Sequence, residues 1–169
     1  NGIESTNAIG LTIDGNNVIL SAEDGIHAYN TLGLSVTNNN VALSGDDGID
    51  LRNTIGAVAG GNTVVGSADN GIEVDNAVGA LIAANVVGLS GQDGINVNNA
   101  VGVAVAGNIV ALSGDDGIDL NNTVGSVVAA NAVVGSGDNG IEQSNAVGAL
   151  IALNAVGLSG QDGINVNNA

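Results

Sequence analysis

The sequence predicts an all-β fold, a solenoid of about seven 23-residue coils with three short strands in each. Three observations carry the prediction. A glycine followed by isoleucine returns at Gly2, Gly25, Gly48, Gly71, Gly94, Gly117, Gly140 and Gly163, always 23 residues after the last. Within each unit apolar and polar residues alternate, which is the period of a strand and not of a helix. Asparagine holds the sixth and fifteenth positions of every unit, and glycine the ninth, between the alternating stretches.

The unit that begins at Gly117 shows the elements in order. Its approach, Ser113-Gly114-Asp115-Asp116, reads as a turn, built from residues that tolerate a tight reversal. Ile118 and Leu120 follow as the inward residues of a first strand, with Asp119 and Asn121 facing out. Asn122 and Gly125 form a corner, where a left-handed backbone costs glycine nothing and asparagine little. Val124, Ser126 and Val128 are expected to make a second inward row. Asn131 turns the next corner, and Val133 supplies the third inward strand ahead of the small Gly135.

Stacked corners bring identical side chains about 4.8 Å apart, close enough for amides to hydrogen-bond from coil to coil. Asn99, Asn122 and Asn145 are expected to form one such ladder and Asn108, Asn131 and Asn154 another, while Gly102 and Gly125 turn corners. A lone coil buries about five aliphatic side chains at about 1.5–3 kcal/mol each. Ordering its backbone costs about 1–2 kcal/mol per residue. Only the stack folds.

Composition narrows the function classes. Lys and Arg total 1 against 17 acidic residues, for a formal charge of −16. Nucleic acid is therefore excluded as a partner, because phosphate affinity comes from cationic side chains; an anionic membrane surface is disfavoured likewise. No apolar run reaches the roughly 20 residues of a membrane-spanning helix, so no membrane insertion is expected. Cysteine is absent, which removes disulfides and thiolate metal sites and fits an extracellular or cell-surface protein that does without them. Residues 1–169 read as a single array with a second period on top of the first, since residues 71–100 return as 140–169 with four changes. Neither end carries a cap over its strand edges, so the chain is expected to be a segment of a longer array or a filament subunit.

The acids form the strongest positional pattern. Glu23, Asp24, Asp46, Asp47, Asp69, Asp93, Asp115, Asp116, Asp138 and Asp162 fall in one turn of successive coils, and Glu4, Asp50, Glu73, Asp119 and Glu142 face outward just after it. Stacked carboxylates suit calcium, which takes six to eight oxygens, and Asp46, Asp47, Asp50, Asp115, Asp116 and Asp119 are the candidate ligands. A solvated Asp-Gly turn accounts for the same residues, and no Asp-x-Asp-x-Asp-Gly loop is present. His27, Tyr29 and Arg52, the sole histidine, aromatic and basic residues, face outward on the first strands of adjacent coils. Paired carboxylates beside a histidine and an arginine are what glycosidic-bond cleavage uses, which makes Asp46, Asp47, His27 and Arg52 the catalytic candidates. The Gly-Asp-Asp turn returns at 114–116 with Asn121 in the place of Arg52, so it is also repeat consensus. Val58, Leu81, Val127, Leu150, Ile19, Val65, Val134, Val86, Ile109 and Leu153 should face outward on the other two sides, a surface that another molecule could cover.

The run Asn108 to Ile118 carries the pattern Asn-x-Val-x-x-Ser-Gly-x-Asp-Gly-Ile and resembles the right-handed parallel β-helix repeat proteins. The likeness covers essentially the whole chain and implies that handedness and a parallel stack. That family spans lyases, hydrolases, epimerases, adhesins and fibre proteins, so the resemblance speaks to fold more than function. The turns Gly45-Asp46-Asp47-Gly48 and Gly91-Gln92-Asp93-Gly94 resemble those of polygalacturonase-type glycoside hydrolases, whose Arg-Ile-Lys and His-Gly motifs are missing. A pectate-lyase-like mechanism needs several Lys or Arg residues, and this chain has one. The expected function is thus a structural, non-enzymatic extracellular fibre or surface appendage, assembled from copies of itself end to end and through its apolar sides. The alternatives are a carbohydrate-active enzyme, hydrolase or lyase, centred on Asp46, Asp47, His27 and Arg52, and a carbohydrate-binding adhesin domain.

Overall fold

The computed structural model describes residues 1–168; Ala169, the last residue of the expected array, lies outside them. The fold is the expected right-handed parallel β-helix, with three parallel sheets running along its length. The first sheet has eight strands, from Ile3–Thr6 to Ile164–Asn167, and the other two have seven each. Every rung pairs with a residue 23 positions away: Ile72 lies between Ile49 and Ile95, and Val86 between Thr63 and Ile109. Among the described residues no helix is long and apolar enough to cross a membrane.

Like stacks on like inside. Ile26, Ile49, Ile72, Ile95, Ile118 and Ile141 form a fully buried column along the first sheet. Val36, Ala59, Ile82, Val105 and Val128 line the second sheet, and Val41, Val64, Val87, Val110 and Val133 the third. The two invariant glycine positions have different causes. A Cβ at Gly48 would collide with Val64 Cγ1 and with the Gly71 carbonyl one coil on, so that position needs space. Gly102 and Gly125 have nothing within 4 Å but sit at φ 64° and 65°, so they are needed for their backbone.

The ladder through Asn108 forms as expected. Asn108 donates its backbone N–H and its Nδ2 to Asn131 Oδ1 at 2.9 and 3.0 Å, and Asn131 does the same to Asn154. Asn108 Nδ2 also donates to the Ile82 carbonyl of the coil before, at 2.9 Å. The ladder through Asn99, Asn122 and Asn145 is corrected. Asn122 reaches Asn99 at 3.3 Å, but Asn145 donates to Asn121 and Asn99 to Asp75. These amides are solvent-exposed at the corner, where neighbouring polar side chains compete for them. Val124 is a second correction: it is 47% exposed and bridges Val101 and Val147 on the outer corner. Buried Thr123 takes the inward place instead, because the left-handed Asn122 resets which side alternate residues face. Leu81, Val86, Ile109, Val134 and Leu150 are exposed as expected, while Val58, Val65 and Val127 are half-buried.

Candidate active site

The outer face of the first sheet, with the turn that leads into it, holds every acidic residue except Asp14. The result is an acidic face along one side of the solenoid. Along its edge runs a ladder that the sequence reading did not foresee. Asp24, Asp47, Asn70, Asp93, Asp116 and Asn139 share the last position of successive units, and each uses Oδ1 to accept the backbone N–H of its counterpart one coil on. The distances are 3.1 Å for Asp47 N–H to Asp24, 2.8 Å for Asn70 to Asp47, 2.9 Å for Asp116 to Asp93 and 2.7 Å for Asn139 to Asp116. This cap buries the aspartates and satisfies a backbone donor, leaving the second oxygen for other work. The interchange of Asp and Asn at one fixed position was the available signal.

The strands Ile26–Leu32, Ile49–Ile55 and Ile72–Asp75 lie side by side, and their alternation puts His27, Asp50 and Glu73 in register on the acidic face, with Tyr29 beside Arg52. His27 Nδ1 lies 2.8 Å from Asp50 and 3.2 Å from Asp24. Arg52 donates through Nε to Asp50 at 2.9 Å and through Nη2 to Glu73 at 2.6 Å, with Asp47 at 3.8 Å. Asp24, Asp47 and Asp50 are buried, whereas Asp46 is exposed at the rim of the same turn. The four candidates Asp46, Asp47, His27 and Arg52 therefore share one locus, joined by Asp24, Asp50 and Glu73. Glu73, expected only as one of the outward acids and not as a site residue, holds the position of Asp50 one coil further along.

Proton affinities diverge across this locus. Burial, followed by the shared hydrogen bond and the charge of Glu73, pushes Asp47 up to about 9, against the opposing Asn70 N–H. Burial lifts Asp50 to about 6 against the pull of Arg52. Asp24 is also raised, chiefly by burial. Three groups bring their ligand atoms within 4.8 Å of one another: Asp24, His27 and Asp50; Asp24, Asp46 and Asp47; Asp47, Asp50 and Glu73.

The locus has a copy three coils on. Asp93, Asp115, Asp116, Asp119 and Glu142 repeat Asp24, Asp46, Asp47, Asp50 and Glu73, but Asn96 stands for His27 and Asn121 for Arg52. Burial and the charges of Asp93, Asp116 and Glu142 raise Asp119 to about 7. Burial lifts Asp93 and Asp116 to about 6. Of the six candidate calcium ligands, the structure groups Asp46 with Asp47 and Asp47 with Asp50; among the described residues Asp115, Asp116 and Asp119 form no such group.

A parallel β-helix with an acidic face on its first sheet is the class that fold and site define. The chain belongs to the family described as periplasmic copper-binding protein (NosD), whose model matches residues 34–169. No curated protein matches the chain in sequence. Among solved structures, a double mutant of the periplasmic alginate epimerase AlgG is 20% identical with a TM-score of 0.84, over 98% of this chain and 46% of its own. The A-module of mannuronan C-5 epimerase AlgE4 from Azotobacter vinelandii is 16% identical with a TM-score of 0.80, over 92% of this chain and 55% of its own. Pectate lyase Pel9A is 15% identical with a TM-score of 0.65, over 79% and 37%. The chain spans about half the length of these structures, and at such identities the likeness establishes the fold.

The expectation of a structural, non-enzymatic fibre is corrected by these neighbours, which are named as epimerases and a lyase of polysaccharides. It had rested on uncovered terminal strands and apolar sides, and neither feature is specific to assembly. Those activities are the neighbours' own, and they favour the carbohydrate-active alternative. The family and the epimerase are both described as periplasmic, which places the chain with exported, non-cytoplasmic proteins and not specifically with extracellular ones. Copper is held by imidazole and by sulfur ligands. Residues 34–169 contain no histidine, cysteine or methionine, and the single imidazole, His27, already lies against Asp50 and Asp24. These residues do not fit a copper site.

Proposed function

We propose that the chain is the substrate-binding and catalytic solenoid of a polysaccharide hydrolase, with the glycan lying along the acidic face of the first sheet. Asp47 carries the argument: a buried carboxyl that keeps its proton at neutral pH, beside carboxylates that hold theirs less tightly. In this role Asp47 gives its proton to the glycosidic oxygen as that bond breaks. Asp46, exposed in the same turn, attacks the anomeric carbon; water then displaces it, losing a proton to Asp47 and restoring both groups. The Asp24, Asp46 and Asp47 oxygens lie within 4.8 Å of one another. That spacing is nearer the ~5–5.5 Å of configuration-retaining cleavage than the ~6.5–9.5 Å of inverting enzymes. Arg52 holds Asp50 in place and offsets its charge beside the reacting pair, and His27 Nδ1 lies 2.8 Å from the same carboxylate. Hydrolysis is favoured over elimination because a lyase must neutralise a uronate carboxylate, and the acidic face offers one arginine.

The test is reducing-end release from neutral, cationic and acidic polysaccharides, with native protein and with Asp47→Asn. Asparagine already stands at this position in the coils of Asn70 and Asn139, so the backbone cap survives the change. The variant is expected to lose about 10²-fold or more of the rate, with an unchanged circular-dichroism spectrum. Native protein that cleaves none of the polysaccharides would overturn the reading.

A further inference from the structure

We propose that Tyr29 is the platform on which one pyranose ring of the glycan stacks, one strand away from Arg52. This rests on the reading of the acidic face as a glycan site and names a residue that selects the sugar there. Tyr29 is the only aromatic residue of the chain and stands 38% exposed on the strand Ile26–Leu32, next to the fully buried Ala28. Its row is otherwise polar. Thr6 and Arg52 lie in register on either side of it, and Asp75, Asn98, Asn121 and Ser144 continue the line. Aromatic rings stabilise a structure when their faces are covered, and a ring left open with a polar tip is suited to a partner that is apolar on one side and wet at its rim.

The internal copy shows that the solenoid itself does not require the ring. Moving 69 residues along the chain carries Asp47, Asp50 and Glu73 onto Asp116, Asp119 and Glu142, with the same strand register. The same step carries His27, Tyr29 and Arg52 onto Asn96, Asn98 and Asn121. The acids are common to both places, whereas the sole histidine, the sole aromatic and the sole base gather on two adjacent strands of one. There Arg52 reaches Asp50 at 2.9 Å, Glu73 at 2.6 Å and Asp47 at 3.8 Å. Tyr29 thus stands with the catalytic candidates and not with the repeat. A pyranose fits this pairing: its C–H face covers the ring, and its hydroxyls meet the polar side chains around it, the usual division of labour in a ligand site. Neighbouring strands are about 4.8 Å apart, so a glycan running along the sheet carries its next sugar over Arg52 and the carboxylates.

Tyr29 is its own reporter, because a chain with no tryptophan, no phenylalanine and no second tyrosine emits from this ring alone. Hexasaccharides of β-1,4-linked glucose, glucosamine and galacturonate are titrated in turn, with binding followed by calorimetry and by tyrosine emission. A sugar that binds is expected to change the emission in step with the heat. Tyr29→Asn is expected to weaken that binding about tenfold, raising KM with kcat unchanged. Asn98 already holds the matching position three coils on, so the fold tolerates this change and the circular-dichroism spectrum stays the same. Tyr29→Phe keeps the ring and is expected to keep the affinity. Binding that leaves the emission unmoved, or equal affinity in Tyr29→Asn and native protein, would overturn the stacking platform and leave the hydrolase reading standing. Neither binding nor cleavage of any of the three sugars would overturn both.

Discussion

Asp47 shows how one side chain can serve fold and chemistry together. Its Oδ1 caps the Asn70 N–H, and its remaining oxygen faces Glu73 and Arg52. The raised acids have a consequence for stability. A carboxyl whose folded value lies above its unfolded one binds its proton more tightly in the folded state, so its contribution is complete below about pH 4 and is lost as pH rises through the folded value. Asp50, Asp93 and Asp116 at about 6, Asp119 at about 7 and Asp47 at about 9 therefore predict a melting temperature that declines from mildly acid to alkaline pH. Asp47→Asn is expected to remove the part of the decline above about pH 7. Calorimetric scans across pH check this; a flat profile for the native protein contradicts it. That His27, Arg52 and the Asp46–Asp47 turn lie together was legible in the sequence, because alternation faces the first two outward and the 23-residue period stacks the turn beside them. Glu73 was legible only as one of the outward acids; its bond to Arg52 and the burial of Asp47 depend on which coil lies next door.

At the scale of elements, the buried and exposed asparagine columns predict different costs. Asn85 accepts from the Asn62 N–H and Nδ2 and donates to the Ala59 carbonyl and Asn108 Oδ1. Asn85→Ala strands several buried polar groups and is expected to cost about 3 kcal/mol or more. Asn122→Gly, at an exposed left-handed corner, is expected to stay within about 0.5 kcal/mol. Urea titrations of the two variants measure the contrast. The sequence showed both columns as equally invariant, and invariance alone does not say which is buried. Val124 was misread for a related reason: alternation was carried straight through Asn122, whose backbone resets it.

For the whole molecule, the 23-residue period was enough to give sheets, stacking and strand count, because each coil meets only its neighbours. Function was less legible. Repeat position already put the acids on one flank, but it took the closed coil to show which of them are buried against one another. Register carries a last consequence. Every joint between rungs is the same joint, so the solenoid behaves like a telescope whose sections can be removed whole. Splicing out residues 94–116, so that Asp93 runs into Gly117, is expected to leave a shorter barrel that still melts cooperatively. Removing 22 residues instead of 23 turns everything beyond the splice inside out.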